Sequence, residues 1–123
     1  LITRVAGSSD YYKGSVIAYA NEVKIAELGV SSIDIEQYGA VSQQVVEQMA
    51  VGVQQKMKTD YAIATSGIAG PTGGSDEKPV GTVWIAIATP EGVVSKKHQF
   101  GKLRDVNIER AAMTALGMLR SCF

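Results

Sequence analysis

The stretch Thr65-Ser66-Gly67-Ile68-Ala69-Gly70-Pro71-Thr72-Gly73-Gly74-Ser75 concentrates glycines and hydroxyls between two apolar runs, Tyr61–Ala64 and Gly81–Ala88. A small domain rarely spends a long glycine-rich loop between buried strands without a use for it. Glycines let backbone N–H groups approach a ligand closely, and Thr and Ser add donors. The stretch therefore reads as a loop that binds an anion or a carbonyl, with a plain hairpin connection as the bland alternative. Two familiar phosphate loops do not fit. A Walker loop ends in Gly-Lys-Ser/Thr, whereas Gly73-Gly74 runs into Ser75-Asp76. A dinucleotide fingerprint leads from strand to helix, whereas a strand is expected after this loop.

Lys24 is the second residue whose position suggests chemistry. With Asn21 as N-cap it falls at N3 of a short helix, where a cation opposes the helix dipole and its pKa is pulled down. A lysine that is neutral near pH 7 can act as a general base. Spacing alone favours an ordinary solvated lysine. Tyr19 lies just ahead of it, where a strand ends and where ligands often bind in α/β folds. Arg104, before the last helix, could offer a bidentate fork to phosphate or carboxylate, or be a solvated charge. His98, the sole histidine, sits among Lys96, Lys97 and Gln99 and reads as a surface residue. Neither a second histidine nor a cysteine cluster stands near it, so no metal site and no cofactor are expected. Cys122 reads as packing.

The elements that position these residues follow from periodicity. Ser15–Tyr19 reads as a strand, Glu22–Leu28 as a two-turn helix closed by Gly29, and Ser31–Tyr38 as loop. Val41, Val45, Met49, Val53 and Met57 recur every four residues and predict one amphipathic helix capped by Ser42. Strands are expected at 61–65 and 82–88. The second has apolar residues on both faces and should be central. Pro90-Glu91-Gly92 suits a type I turn into a more polar edge strand, Val93–Phe100. A last helix spans about Asp105–Arg120. Leu1–Arg4 reads as the tail of a helix. This order predicts an α/β fold, a three-layer α/β/α sandwich with a mixed sheet, as a single domain over residues 1–123.

Composition sets outer bounds. The chain of 123 residues is 46% hydrophobic, with twelve basic residues balancing twelve acidic ones. That neutrality gives no electrostatic footprint for nucleic acid or an anionic membrane. Apolar runs all fall short of the roughly 20 residues a spanning helix needs. One cysteine excludes an internal disulfide and suits a cytoplasmic location.

Taken together, several segments resemble the CinA C-terminal domain family. They are Gly7-Ser8-Ser9-x-Tyr11-Tyr12, Ala18-Tyr19-Ala20-Asn21-x-x-Lys24-x-x-x-Leu28-Gly29-Val30, Gly39-Ala40-Val41-Ser42, Met49-Ala50, the whole of Ala64–Ser75, and Lys78-Pro79-Val80-Gly81-Thr82-Val83-Trp84. The resemblance implies a nicotinamide mononucleotide deamidase. Such an enzyme hydrolyses the carboxamide to nicotinic acid mononucleotide and ammonia through a serine–lysine pair, with a small-molecule nucleotide as partner and a homo-oligomeric assembly. It matches the family's lysine to Lys24 and places the nucleophilic serine upstream of Leu1, so the N-terminal segment of the domain is expected to be missing from the sequence in hand. Ser9, Tyr19, Thr65, Ser66, Gly67, Gly70, Gly73, Gly74 and Arg104 are then expected to bind substrate. The family often carries Gly-Asp-Arg before the last helix, where this chain reads Gly101-Lys102-Leu103-Arg104. The rival reading is a catalytically inactive nucleotide-binding or regulatory domain linked to competence or damage response.

Overall fold

A computed structural model describes residues 2–123. After two short 3-10 turns, Ile2–Arg4 and Ser8–Asp10, come the helices α1 (Asn21–Leu28), α2 (Ser32–Tyr38) and α3 (Gln43–Met57). The strands β1 (Ala62–Gly67), β2 (Thr82–Thr89) and β3 (Gly92–Gln99) follow, and then α4 (Arg104–Arg120). Of the expected helix tail, Leu1 lies outside the described residues and Ile2–Arg4 forms one of the 3-10 turns.

The sheet runs in the order β1-β2-β3, and both pairings are antiparallel. β2 is central and alternates between two cores, as its two apolar faces require. Ala86 and Ala88 join Leu28, Val45, Val46, Met49, Ala50 and Ala64 on one face, with Trp84 packed at the margin. Val83, Ile85 and Ile87 join Ala115 of α4 on the other. Burying each isoleucine contributes roughly 2–3 kcal/mol. Helices therefore cover both faces, and the chain is a three-layer α/β/α domain. β3 has only exposed and half-buried residues, as a polar edge strand should.

α3 forms as its stripe dictates. Val45, Val46, Met49 and Ala50 are buried, and Ser42 Oγ accepts the Val45 N–H at 3.3 Å. Gly52 faces α1 so closely that a Cβ there would lie 2.0 Å from the Leu28 carbonyl oxygen. Gly29 ends α1 in the left-handed region (φ 68°), which a glycine adopts without strain.

Three expectations need correction. Ser31–Tyr38 is not loop: Ser31 caps α2 by accepting the Asp34 N–H, and Gln48 of α3 clasps the turn by accepting Ser31 N–H at 2.7 Å and donating to Asp34 Oδ2 at 2.6 Å. Polar residues that looked like loop are cap and clasp. Asn21 is not the N-cap of α1; it is the first helical residue, and Ala20 occupies the cap. Finally, the sheet is not mixed among the described residues. Ser15–Tyr19 packs Val16 and Ala18 inward but forms no strand of the sheet.

Candidate functional site

Lys24 comes from the fourth position of α1, and its N–H makes the helix's first i→i−4 bond, to Ala20 O at 3.2 Å. The residue is only 6% exposed. Its Nζ donates to Tyr19 O at 3.3 Å. Burial takes the ammonium out of water and lowers its pKa from the usual 10.5. The cause is therefore desolvation rather than the dipole of a first-turn position, and the direction is the one the sequence suggested. Tyr19 contributes its carbonyl, while its side chain stands out at 85% exposure.

The glycine loop leaves β1 at Gly67 and is pinned on several sides. Ile68 donates to Thr82 O at 2.9 Å and accepts from Gly81 N–H at 2.7 Å, which holds the loop's two ends together. Arg104, the first residue of α4, donates from Nη1 to Gly70 O at 2.9 Å. That spends one of five guanidinium donors on the loop and leaves others for an anion. Gly70 (φ 92°) is buried, and a side chain there would strike Val80. Gly74 is equally tight against Val80, whereas Gly73 (φ 92°) is exposed. Beyond the loop, Lys78 Nζ donates to Tyr38 O and ties the return segment to α2.

β1 splits the hydroxyls between its faces. Ser66 Oγ donates to Ala40 O at 2.8 Å on the α3 side. Thr65 and Gly67 instead line a cavity of about 290 Å³ beneath α4, together with Ala69, Val83, Asn107 and Ile108. Ser9 lies exposed in the second 3-10 turn, far along the chain from this cavity. Thus Lys24 and Tyr19 form one group, and Thr65, Gly67, Gly70 and Arg104 form another. α1 packs on α3, while α4 packs on β1 and β2. The cavity beneath α4 is lined by Thr65 and Gly67 and not by Lys24 or Tyr19.

Asn107 is the residue that sequence reasoning missed. It is 1% exposed, and its Nδ2 donates to Ala69 O at 3.0 Å and Gly101 O at 2.9 Å. Two carbonyl acceptors fix which way the amide points. A signal was available: Asn107 stands four residues before Ala111 and eight before Ala115, on the apolar stripe of α4. His98 is half-buried on β3, stacked on Phe100 at 5.7 Å with Arg110 over that ring at 4.7 Å. Burial first, and Lys96 second, lower its pKa. Among the described residues no group of three or more His, Cys, Asp or Glu is placed to hold a metal ion. No helix among them is long and apolar enough to cross a membrane.

The family model described as the CinA C-terminal domain matches residues 1–123. A CinA-like protein of Flavobacterium psychrophilum is 53% identical over 118 residues, covering 96% of this chain and 28% of that protein. One from Rippkaea orientalis is 51% identical over 123 residues, covering 98% of this chain and 30% of its own length. The chain thus spans less than a third of these curated relatives. Among solved structures, the competence/damage inducible protein CihA from Agrobacterium tumefaciens superposes with a TM-score of 0.94 at 38% identity, over 97% of this chain and 73% of that one. A competence-damaged protein (CinA) superfamily protein from Escherichia coli gives a TM-score of 0.94 at 28% identity, over 99% of this chain and 71% of its own.

Proposed function

The chain belongs to the CinA C-terminal domain family, and from that premise we propose that it is the amide-hydrolysing domain of a nicotinamide mononucleotide deamidase. One observation carries the reading: Lys24 is buried, held by a backbone carbonyl and lowered in pKa by desolvation, the direction that eases its service as a proton acceptor.

In this mechanism a serine supplied from upstream of Leu1 attacks the carboxamide carbon, and its proton passes to Lys24 Nζ. A C–O bond forms, and the former carbonyl oxygen takes the negative charge. Gly67, at the end of β1, is the candidate donor to that oxyanion through its N–H. Collapse breaks the C–N bond, and the Lys24 ammonium returns its proton to the leaving nitrogen, which departs as ammonia. Water then attacks the acyl-enzyme and loses a proton to Lys24. The C–O bond to serine breaks, serine recovers the proton, and nicotinic acid mononucleotide is released. Arg104 and the remainder of the glycine loop hold the phosphate, with Ser9, Tyr19, Thr65, Ser66, Gly70, Gly73 and Gly74 as the wider binding surface. Domain and partner readings follow suit: a single domain completed by an N-terminal segment, acting in the cytoplasm as a homo-oligomer without a cofactor.

That Lys24 does not line the cavity formed by Thr65 and Gly67 favours a second reading, a nucleotide-binding or regulatory domain with no catalysis. The protein expressed from its complete reading frame separates the two. Ammonia release on adding nicotinamide mononucleotide supports the enzyme. Calorimetric binding of the mononucleotide without ammonia supports the binding domain and overturns the deamidase.

A further inference from the structure

A second cavity, of about 330 Å³, opens on the α3 face of the sheet, where the end of α2, the start of α3, the return segment before β2, and the strands β2 and β3 converge. That volume is at the low end of the range for small-molecule sites. None of the residues assigned to the substrate of the deamidase lines it. Trp84, the chain's one tryptophan, forms an aromatic wall; it is half-buried and packed at the margin of the α3-side core. Tyr38, at the end of α2 and 40% exposed, supplies a second ring.

Two lysines line the same cavity. Lys97 of β3 lies directly opposite Trp84 in the ladder. Opposed side chains share a face with Cβ atoms about 5 Å apart, so the cation stands beside the indole. Among the described residues Lys97 has no carboxylate within ion-pair distance. Lys78 lines the cavity from the return segment and spends one of its three donors on Tyr38 O, which leaves two. Glu77 and Gln44 add a carboxylate and an amide. Two cations against one carboxylate favour an anion, and the two rings favour a planar group attached to it.

We infer that this cavity is an effector site for a nucleoside monophosphate, with the base laid on Trp84 and the phosphate held by Lys97 and Lys78. Stacking on an indole tolerates any base, because every base has a π-face. The site therefore selects a ring joined to a phosphate rather than one particular base. The phosphate supplies the anion that Lys97 lacks within the chain, and Glu77 accepts from the sugar hydroxyls. The cavity is also tied to the glycine loop. Lys78 N–H donates to Ser75 Oγ at 3.1 Å, and Lys78 O accepts the Ser75 N–H at 2.9 Å, so the turn that carries Lys78 closes that loop. A phosphate bound to Lys78 fastens the loop's exit to β3 through Lys97. Gly39 keeps the space open, since a Cβ there would lie 2.9 Å from Lys78 Nζ. The binding argument holds whether or not the domain cleaves amides.

Amine labelling of the protein expressed from its complete reading frame, read lysine by lysine by peptide mass spectrometry, tests this with adenosine 5′-monophosphate as the probe. Lys96, next along β3 and facing the opposite way, is the internal control. Expected is slower labelling of Lys97 and Lys78 with Lys96 unchanged. The half-protecting concentration should lie at least ~10-fold below that of inorganic phosphate, the worth of one stacked base. Lys97→Glu, at an exposed strand position, should cancel the protection of Lys78. Labelling of Lys97 unaffected by millimolar nucleotide overturns the site. Equal slowing of Lys96 overturns it as well, because the anion is then held without a site. Phosphate that protects as well as the nucleotide overturns the nucleotide assignment, and protection of Lys78 that survives Lys97→Glu overturns the shared phosphate.

Discussion

Gly52→Ala should destabilise the protein although it places the best helix former in the middle of a helix. The propensity term alone favours alanine by about 1 kcal/mol. Geometry opposes it, since the new Cβ would lie 2.0 Å from Leu28 O, 2.8 Å from Leu28 C and 3.1 Å from Leu28 Cα. These are backbone atoms at the end of α1, so no side chain can swing away. To bring the closest contact to 3.0 Å, α1 and α3 must part by about 1 Å, and overpacking of this kind costs about 1–3 kcal/mol or more. The net expectation is a loss of up to about 2 kcal/mol, or up to roughly 8 °C in Tm for a domain of this size. The internal control is Gly117→Ala in α4, where a Cβ meets nothing within 4 Å. There the propensity gain stands alone and should raise stability by about 0.5–1 kcal/mol. Thermal and urea unfolding of both variants reads the difference. Because α1 carries Lys24, Gly52→Ala should also weaken any activity that Lys24 supports. A Gly52→Ala protein as stable as Gly117→Ala would refute the close α1–α3 contact and the placement of Lys24 that depends on it.

Lys24→Met should raise Tm near neutral pH by removing a buried ammonium, and the gain should shrink as pH climbs. The sign follows from linkage: with the folded pKa lowered below 10.5, the unfolded chain binds more protons between the two values, so wild-type stability rises across that window and the variant's does not. Thermal melts from pH 7 to 10.5 check it. Arg104→Ala should free the Gly70 carbonyl at a cost of about 1 kcal/mol and speed proteolysis within Ile68–Ser75, read by limited digestion. Asn107→Asp should destabilise by about 2–4 kcal/mol at neutral pH, because a carboxylate faces the Ala69 and Gly101 carbonyls with nothing to donate. Its loss should lessen on acidification as the carboxyl gains a proton, a trend measured by urea titration at several pH values.

Much of this fold was legible because its long elements obey one period each. The α3 stripe with its Ser42 cap, the two-faced β2 and the Thr89–Gly92 turn are local patterns with local causes. α2 was not legible, because its stability comes from Gln48, fourteen residues beyond Asp34. Ser15–Tyr19 was read as a strand and joins no ladder: alternation sets which residues face inward, while pairing depends on an edge elsewhere. In the candidate site, Lys24 was picked out from a helix-dipole argument, whereas burial is what lowers its pKa. The glycine loop announced itself by composition. Asn107, which fastens that loop to α4, carried only the faint signal of an amide on an apolar face.

The central claim is that Lys24 acts on the bound mononucleotide as a base. The most direct measurement compares wild type with Lys24→Ala, both expressed from the complete reading frame, following ammonia release, calorimetric binding of nicotinamide mononucleotide and circular dichroism on the same samples. The account expects unchanged dichroism, binding retained within a few-fold and ammonia release reduced at least ~10³-fold, as when one member of a cooperating catalytic unit is lost. Ammonia release by Lys24→Ala within a few-fold of wild type would contradict it.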